Sequence, residues 1–386
     1  MKIRVIHIHS NPLFINDIKR FEGSDFLNTV IVLGKKIKFQ NHYSENAIFF
    51  KRTPRNINKI ICICNKSNLV VLHDLDWVKK KIAISLSSEI MIAWRFYGYE
   101  LYSLNANTYY TELTKNTEKK VLFKALFQNI FERAFGLVSY IKWGNYLYTD
   151  FNKVIKRVNY FLGYSIEEYD YLKKLHPELP PFIKLSIELT GAFSFCKSLS
   201  AKSRIVIGNN RSPYNNHLDI IELIKSYNNS ENYEFILPFN YGVVTNYSKD
   251  VIKAASQCIN VKILDKMLSF AEYNNMFNQS QAIIINSHKQ MALGNIFIAI
   301  QNGLKIYLNK SNEIFLWLRN SGLKIYSIED FAKDLLSGNI KLSYSDAKEN
   351  YDKFVLMSTS YNNSHFRGAL MKGFGFAISD RTSSSI

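Results

Sequence analysis

Three short segments of this chain carry side chains suited to holding an anionic ligand. The first is Gly208-Asn209-Asn210-Arg211-Ser212-Pro213-Tyr214-Asn215-Asn216-His217. An apolar run over 204–207 enters a Gly-Asn turn there, then a polar loop, then an amphipathic helix with Leu218, Ile221 and Ile224 on one face. Glycine lets the backbone turn sharply and lets a ligand come close. Asn215 or Asn216 can cap the helix, and free N–H groups at a helix start favour an anion. The second segment is Leu237-Pro238-Phe239-Asn240-Tyr241-Gly242, where Pro238 stops a strand and Tyr241 can stack or donate a hydrogen bond. The third follows Ile283-Ile284-Ile285 and runs from Asn286 through His288, Lys289 and Gln290 to Gly294 and Asn295. His288 and Lys289 can offset phosphate charge, while Gly294 and Asn295 place backbone donors at a helix start. Each segment alone also reads as a capped strand-to-helix turn, and Lys289 as a solvated charge. Together, at three strand ends of one domain, they point to a nucleotide diphosphate site.

Groups able to accept a proton from a hydroxyl lie in the first half. His73-Asp74-Leu75-Asp76 follows a strand, and Glu100 follows another in Trp94-Arg95-Phe96-Tyr97-Gly98-Tyr99-Glu100-Leu101-Tyr102. His73, Asp76 and Glu100 are the candidate bases, with a helix cap or a surface position as the plain alternative for the acids. His7 and His9 alternate along the first strand, so both point to one face; for one of them a core histidine is the plainer reading. Asp74-Leu75-Asp76 is the one DxD triplet. It lies away from the three loops, so the expectation is a reaction with no metal and no cofactor. The chain lacks GxxxxGK[ST], an opening GxGxxG and GxSxG, which argues against a P-loop NTPase, an ordinary NAD dehydrogenase and an α/β-hydrolase.

These residues need elements to position them. Short apolar runs at 2–8, 29–33, 47–50, 69–72 and 89–94 read as buried parallel strands. A second series follows at 204–207, 233–237, 261–264, 282–285, 305–308 and 324–326, with helices between. Ser269 to Glu272 reads as a capping box, and Gly303 as a helix C-terminal stop. The cluster His176-Pro177-Glu178-Leu179-Pro180-Pro181 and the small, polar stretch 197–203 bracket a domain junction. The expected organisation is an N-terminal Rossmann-like domain over 1–197, a second over 198–345, and a C-terminal helix and tail over 346–386. Residues 115–160 stand apart as a basic, aromatic amphipathic insertion that can face a membrane or simply pack on the sheet.

The 386 residues carry 49 Lys plus Arg against 32 Asp plus Glu, a net charge of +17. That excess suits an acidic partner, and an anionic membrane surface fits it. No recognisable module supports nucleic acid. Cys62, Cys64, Cys196 and Cys258 show neither zinc spacing nor a disulfide framework, and Cys62 and Cys64 read as core residues. The N-terminus opens into a strand without a signal-peptide pattern, and no apolar run reaches bilayer length.

The blocks together resemble the bacterial TDP-N-acetylfucosamine:lipid II N-acetylfucosaminyltransferase family, also described as 4-alpha-L-fucosyltransferases. Gly208-Asn209 with Asn215 and His217 is similar to its Gly-Asn block, and Pro238 with Tyr241 to its Pro-x-x-Tyr block. The run from Leu268 through Gln290, Gly294, Gln301-Asn302-Gly303 and Leu308-Asn309 to Phe315 and Trp317 resembles its longest block. In the first half, Trp94 and Gly98 with Glu100-Leu101-Tyr102, and the strand-end His73, resemble its first-domain segment. Ser212 stands where members of that family carry an acid, and Glu100 stands for Asp. The resemblance implies a GT-B glycosyltransferase: α/β, two Rossmann-like domains with parallel sheets facing a central cleft, the donor in the C-terminal one. It implies transfer of an N-acetylfucosamine-like deoxyamino sugar or fucose, with inversion, from a nucleotide diphosphate (TDP favoured) to a polyprenyl-linked glycan. The place it implies is the cytoplasmic face of the bacterial inner membrane, as a peripheral protein, in O-antigen or enterobacterial common antigen-like synthesis. The donor site so expected comprises Gly208, Asn209, Ser212, Asn215, His217, Pro238, Tyr241, His288, Lys289, Gln290, Gly294 and Asn295. The rival expectation is a non-catalytic sugar-nucleotide or polysaccharide-binding component of an assembly complex.

Overall fold

A computed structural model of the chain describes residues 2–10, 12–34, 46–189, 194–196 and 203–375. The chain forms two compact units, Met1–Glu100 with Gln128–Glu188 and Tyr361–Ile386, and Leu101–Phe127 with Leu189–Ser360.

The first unit is built on seven parallel strands in the order β3-β2-β1-β4-β5-β6-β7. They are β1 Ile3–His9, β2 Phe26–Leu33, β3 Ile48–Phe50, β4 Leu69–His73, β5 Met91–Arg95, β6 Tyr160–Gly163 and β7 Phe182–Lys184. All five residues of β4 are buried, which is why its sequence is a continuous apolar run instead of an alternating one. The strand order reverses between β1 and β4, the point at which open parallel sheets gather ligand chemistry. One core packs Ile3, Val5, Phe26, Leu69, Val71 and Ala93 against Phe366 and Leu370 of the helix Asn363–Gly373.

The second unit has six parallel strands in the order β10-β9-β8-β11-β12-β13. They are β8 Arg204–Ile207, β9 Glu234–Pro238, β10 Val261–Leu264, β11 Ala282–Ile285, β12 Lys305–Leu308 and β13 Tyr326–Ser327. The order here reverses between β8 and β11. Ile205, Ile207, Ile221, Phe235, Leu237, Ile284, Tyr307 and Phe331 fill one core. The Ser269–Glu272 capping box is present, and Gly303 takes the left-handed conformation, φ +65°, after the helix Leu293–Gln301.

Several expectations change. The proline cluster and the stretch 197–203 do bracket a crossing between the units, at Glu188/Leu189, although Leu179 to Pro181 itself leads into β7, an edge strand of the first sheet. The expected boundary at 197/198 and the polar stretch 197–202 lie outside the described residues, and the second unit takes in residues from Leu189. The chain also crosses earlier, since 101–127 belongs to the second unit, where Thr111 and Thr114 hydrogen-bond to Asn216. The tail is two helices, Tyr344–Ser360 and Asn363–Gly373, and the latter completes the first unit's core instead of forming a separate appendage. Residues 115–160 are several helices, and the 128–160 part returns to the first sheet through β6. Cys62 is exposed while Cys64 is buried, because both lie on the helix Pro54–Cys64, where a spacing of two turns them to different faces.

Candidate functional sites

In the second unit, the loops after β8, β9 and β11 leave neighbouring strands at the reversal point. Gly208 takes φ +68°, and its N–H bonds to the Ile284 carbonyl at 2.8 Å. A Cβ there would stand 2.5 Å from His217 Nε2 and 3.2 Å from Asn215 Cγ, so the turn requires glycine twice over. Asn209 donates to the Tyr241 hydroxyl at 3.0 Å, and its own Oδ1 is buried without a hydrogen-bond partner. Asn215 ties Asn210 to the loop at 3.1 Å, and its Oδ1 is likewise buried without a partner. Ser212 caps the short Pro213–Asn215 turn by accepting from the Tyr214 N–H. Pro238 is the last residue of β9.

Lys289 is nearly buried and lies 4.1 Å from the Tyr214 ring centre and 5.1 Å from that of Tyr102. A cation held against aromatic faces is desolvated and oriented at the same time. The helix Leu293–Gln301 starts behind Ala292, which takes the left-handed conformation and has no side-chain cap. Gly294 is exposed in its first turn with open space where a Cβ would point. Asn295 donates to the Tyr273 hydroxyl at 2.8 Å, and Gln290 is half-buried in the preceding loop.

Two expected donor ligands have different duties. His217 is fully buried, with Nδ1 3.1 Å from the Tyr247 hydroxyl, and burial pulls its pKa down to about 3. It is a neutral wedge that seats the Gly208 turn. His288 is held below its ordinary pKa by burial, so at neutral pH it offers a hydrogen bond and no charge. The structure thus brings Gly208, Asn209, Asn215, His217 and Tyr241 together and joins Lys289 to them through Tyr214, whereas Asn295 bonds elsewhere. Asn216, which replaces a capping role with a left-handed backbone, is the loop's unforeseen anchor. Its Nδ2 donates to the Asn286 and Tyr109 carbonyls at 3.0 and 3.2 Å. A surface hollow of about 650 Å³ involving Arg204, Tyr233, Asn260 and Lys262 lies at the opposite, amino ends of these strands, away from the ligand end of a parallel sheet.

In the first unit the three candidate bases separate clearly. Asp76 is the N-cap of the helix Trp77–Ser85, accepting from the Val78 and Lys79 N–H groups at 3.0 and 3.1 Å. Although burial raises the pKa of Asp76, Lys79, Ser10 and Arg52 more than offset this, and it ends below its ordinary value. That makes it a poor base. The buried ammonium of Lys79 bridges Asp74 and Asp76, so the DxD pair already holds a cation. His73 is buried, with Nε2 3.1 Å from His7 Nδ1 and its ring stacked 3.6 Å from that of His9. Burial, then the neighbouring imidazoles, holds it far below its ordinary pKa. Glu100 accepts from Trp94 Nε1 at 3.1 Å, and its Oε2 is buried without a partner. Burial raises its pKa to about 7, the range in which a general base works best at neutral pH.

Sequence reasoning missed Asp17, Asn28 and Arg95, which organise these histidines. Asp17 pairs with Arg20 at 2.7 Å and Arg95 at 3.0 Å and accepts from the Tyr97 hydroxyl at 2.9 Å. The only local signal was the three-residue spacing of Asp17 and Arg20.

Two parallel Rossmann-like sheets with strand-end loops of this kind define the GT-B glycosyltransferases, and solved structures agree. Anabaena HepE in complex with UDP and glucose superposes with a TM-score of 0.64 at 11% identity, covering 97% of this chain and 99% of that one. Sucrose-phosphate synthase from Thermosynechococcus elongatus gives 0.64 at 8% identity over 96% and 98%. The alpha,alpha-trehalose 6-phosphate synthase from Burkholderia multivorans gives 0.59 at 6% over 97% and 98%. No curated protein sequence matches significantly. Residues 186–364 match the family model of the 4-alpha-L-fucosyltransferases, glycosyl transferase group 56. The chain is a glycosyltransferase of GT-B fold whose residues 186–364 are similar to the 4-alpha-L-fucosyltransferases.

Proposed function

We propose that the protein moves an N-acetylfucosamine-like deoxyamino sugar, or fucose, from a nucleoside diphosphate to a lipid-linked glycan at a membrane surface. The observation that carries the donor half is the convergence at the β8/β11 reversal of the Gly208 turn, the uncapped start of Leu293–Gln301 and the aromatic-held Lys289. Backbone N–H groups and one buried cation there neutralise the diphosphate without a divalent ion. The acceptor oxygen bonds to the anomeric carbon, the bond from that carbon to the diphosphate breaks, and inversion follows from the single displacement. The acceptor proton goes to Glu100, the candidate whose pKa suits the task. The TDP preference and the O-antigen or enterobacterial common antigen-like setting rest on the family resemblance.

The acceptor half rests on the helix Gln128–Trp143. Ile130, Leu137, Val138 and Ile141 form an exposed apolar stripe at helical spacing, with Ile141 85% exposed and Leu137 60%. Arg133 and Lys142 lie on the same helix, and Phe131, Tyr140 and Trp143 add exposed rings. Among the described residues no helix is long and apolar enough to cross a membrane. An amphipathic helix of this kind lies in the bilayer interface, drawn there by a chain of +17 net charge. The peripheral placement at the cytoplasmic face of the inner membrane follows from that reading.

Calorimetry with TDP, UDP and GDP, each with and without EDTA, tests the donor half. One of the three binding equally well in both conditions is the expected result. Binding of none at saturating dose, or only with a divalent ion, overturns it.

A further inference from the structure

The reversal point of the first sheet, between β1 and β4, brings together His7 and His9 from β1 and His73 from β4, all buried. Hydrogen bonds fix two of their tautomers. Asn28 donates its Nδ2 to the Phe21 carbonyl at 2.9 Å, so its Oδ1 is the atom facing His7 Nε2 at 3.0 Å. That nitrogen carries the hydrogen, and His7 Nδ1 is left with a lone pair. Tyr97 has one hydroxyl hydrogen and gives it to Asp17 at 2.9 Å. Its oxygen therefore accepts from His73 Nδ1 at 3.3 Å, leaving a lone pair on His73 Nε2.

These two lone pairs face each other at 3.1 Å. Two acceptors at that distance repel unless a cation lies between or beside them. The third ring supplies an independent sign: His9 is 1% exposed, and neither of its nitrogens has a hydrogen-bond partner. Burial of two such atoms without a partner is costly. One nitrogen from each ring lies within 4.8 Å of the other two.

We propose that His7, His9 and His73 bind a divalent transition-metal ion of the zinc class. Nitrogens bonded at ~2.0–2.1 Å in a tetrahedral site stand about 3.3 Å apart, close to the 3.1 Å between His7 and His73. Closing the wider separations requires the His9 ring to turn out of its 3.6 Å stack on His73. Asn28, and Tyr97 backed by Asp17, then act as the outer partners that hold ligand imidazoles in the metal-binding tautomer. Three imidazoles without thiolate suit Zn²⁺, Co²⁺, Ni²⁺ or Cu²⁺ over Mg²⁺ or Ca²⁺. The nearby cations are already compensated, Arg95 by Asp17 and Lys79 by Asp74 and Asp76. A proton shared by His7 and His73 would relieve the first contact but would leave His9 buried and unpaired. The site lies wholly in the first unit and is independent of how the second unit holds its donor.

The test uses the full chain, without a polyhistidine tag, stripped of metal and shown to be folded by circular dichroism. Addition of Co²⁺ is expected to give visible absorption bands of nitrogen-ligated, low-coordinate cobalt, and about one equivalent of Zn²⁺ should abolish them. Zn²⁺ should raise the thermal midpoint of the stripped protein. His9→Gln should weaken Co²⁺ binding by at least about tenfold, whereas Asn28→Asp, which still accepts the His7 hydrogen, should keep the band. A folded wild-type chain that leaves Co²⁺ with its aqueous spectrum overturns the proposal. So does a nuclear magnetic resonance signal from a proton shared by His7 and His73 that persists in excess Zn²⁺.

Discussion

Asn209 donates to the hydroxyl of Tyr241 at 3.0 Å, fastening the loop after β8 to the loop after β9 beside the bond from the Arg211 N–H to the Tyr241 carbonyl at 3.1 Å. Tyr241 is 47% exposed, so the side-chain bond shapes the loops more than it stabilises the fold. Tyr241→Phe should leave the thermal midpoint unchanged and weaken nucleotide binding by the ~1 kcal/mol of one hydrogen bond, about fivefold. Calorimetric titration of the donor nucleotide checks this.

Gly208 and Gly294 make an opposed pair. Alanine at 208 must adopt φ +68° and meet His217 at 2.5 Å, so Gly208→Ala should lower the thermal midpoint markedly. Gly294 is helical with open space, and Gly294→Ala should stabilise the helix by ~0.5–1 kcal/mol. If the diphosphate approaches that backbone, the same methyl group should weaken nucleotide binding. A variant that melts higher and binds as well as wild type removes Gly294 from the site.

Glu100 has a testable sign. Its folded pKa, about 7, exceeds the ordinary carboxyl value, so the folded state holds the proton more tightly than the unfolded one. The stabilisation is full below the ordinary pKa and is lost as pH rises through about 7. The wild-type thermal midpoint should therefore fall between about pH 5 and 8 more than that of Glu100→Gln. As the general base, Glu100 should give a transfer rate that rises with pH through the same range. Glu100→Gln should remove that rise along with ~10²–10⁴ of the rate, and an unaltered pH–rate profile assigns the proton elsewhere.

Asp76 separates structure from chemistry. Asp76→Ala deletes a helix cap and one partner of the buried Lys79, which should cost about 2–4 kcal/mol in denaturant unfolding. Asp76→Asn keeps the cap and should retain transfer within a few-fold. Loss of transfer in a stably folded Asp76→Asn protein would make Asp76 the base.

The exposed stripe on Gln128–Trp143 predicts binding to vesicles containing phosphatidylglycerol, weakened by salt. Val138→Glu and Ile141→Glu together should abolish flotation and leave nucleotide binding intact. Equal flotation of wild type and variant detaches the helix from membrane binding.

Most strands were legible because buried parallel strands are short apolar runs, as in β4 and β11, and glycine marked the ligand turn at 208. β6 and β7 were hidden by aromatic and proline-flanked sequence that reads equally as helix face or linker. The candidate bases could be named but not ranked. Asp76 and Glu100 are both acids just past a strand, and only the fold shows one capped and paired, the other buried beneath Trp94. His7, His9 and His73 were visible singly. Their meeting depends on β1 lying beside β4, a long-range pairing that leaves no trace in local spacing. The return of Asn363–Gly373 to the first unit was equally invisible, since an amphipathic helix does not announce its partner.

That returning helix decides how the protein can be dissected. A gene fragment ending near residue 188 would leave its hydrophobic interior open where Phe366 and Leu370 belong. It should aggregate on expression unless the terminal peptide is supplied in trans or spliced ahead of Met1 by circular permutation. Fusion partners attached at the C-terminus would likewise burden the N-terminal half of the sequence, not the half they follow.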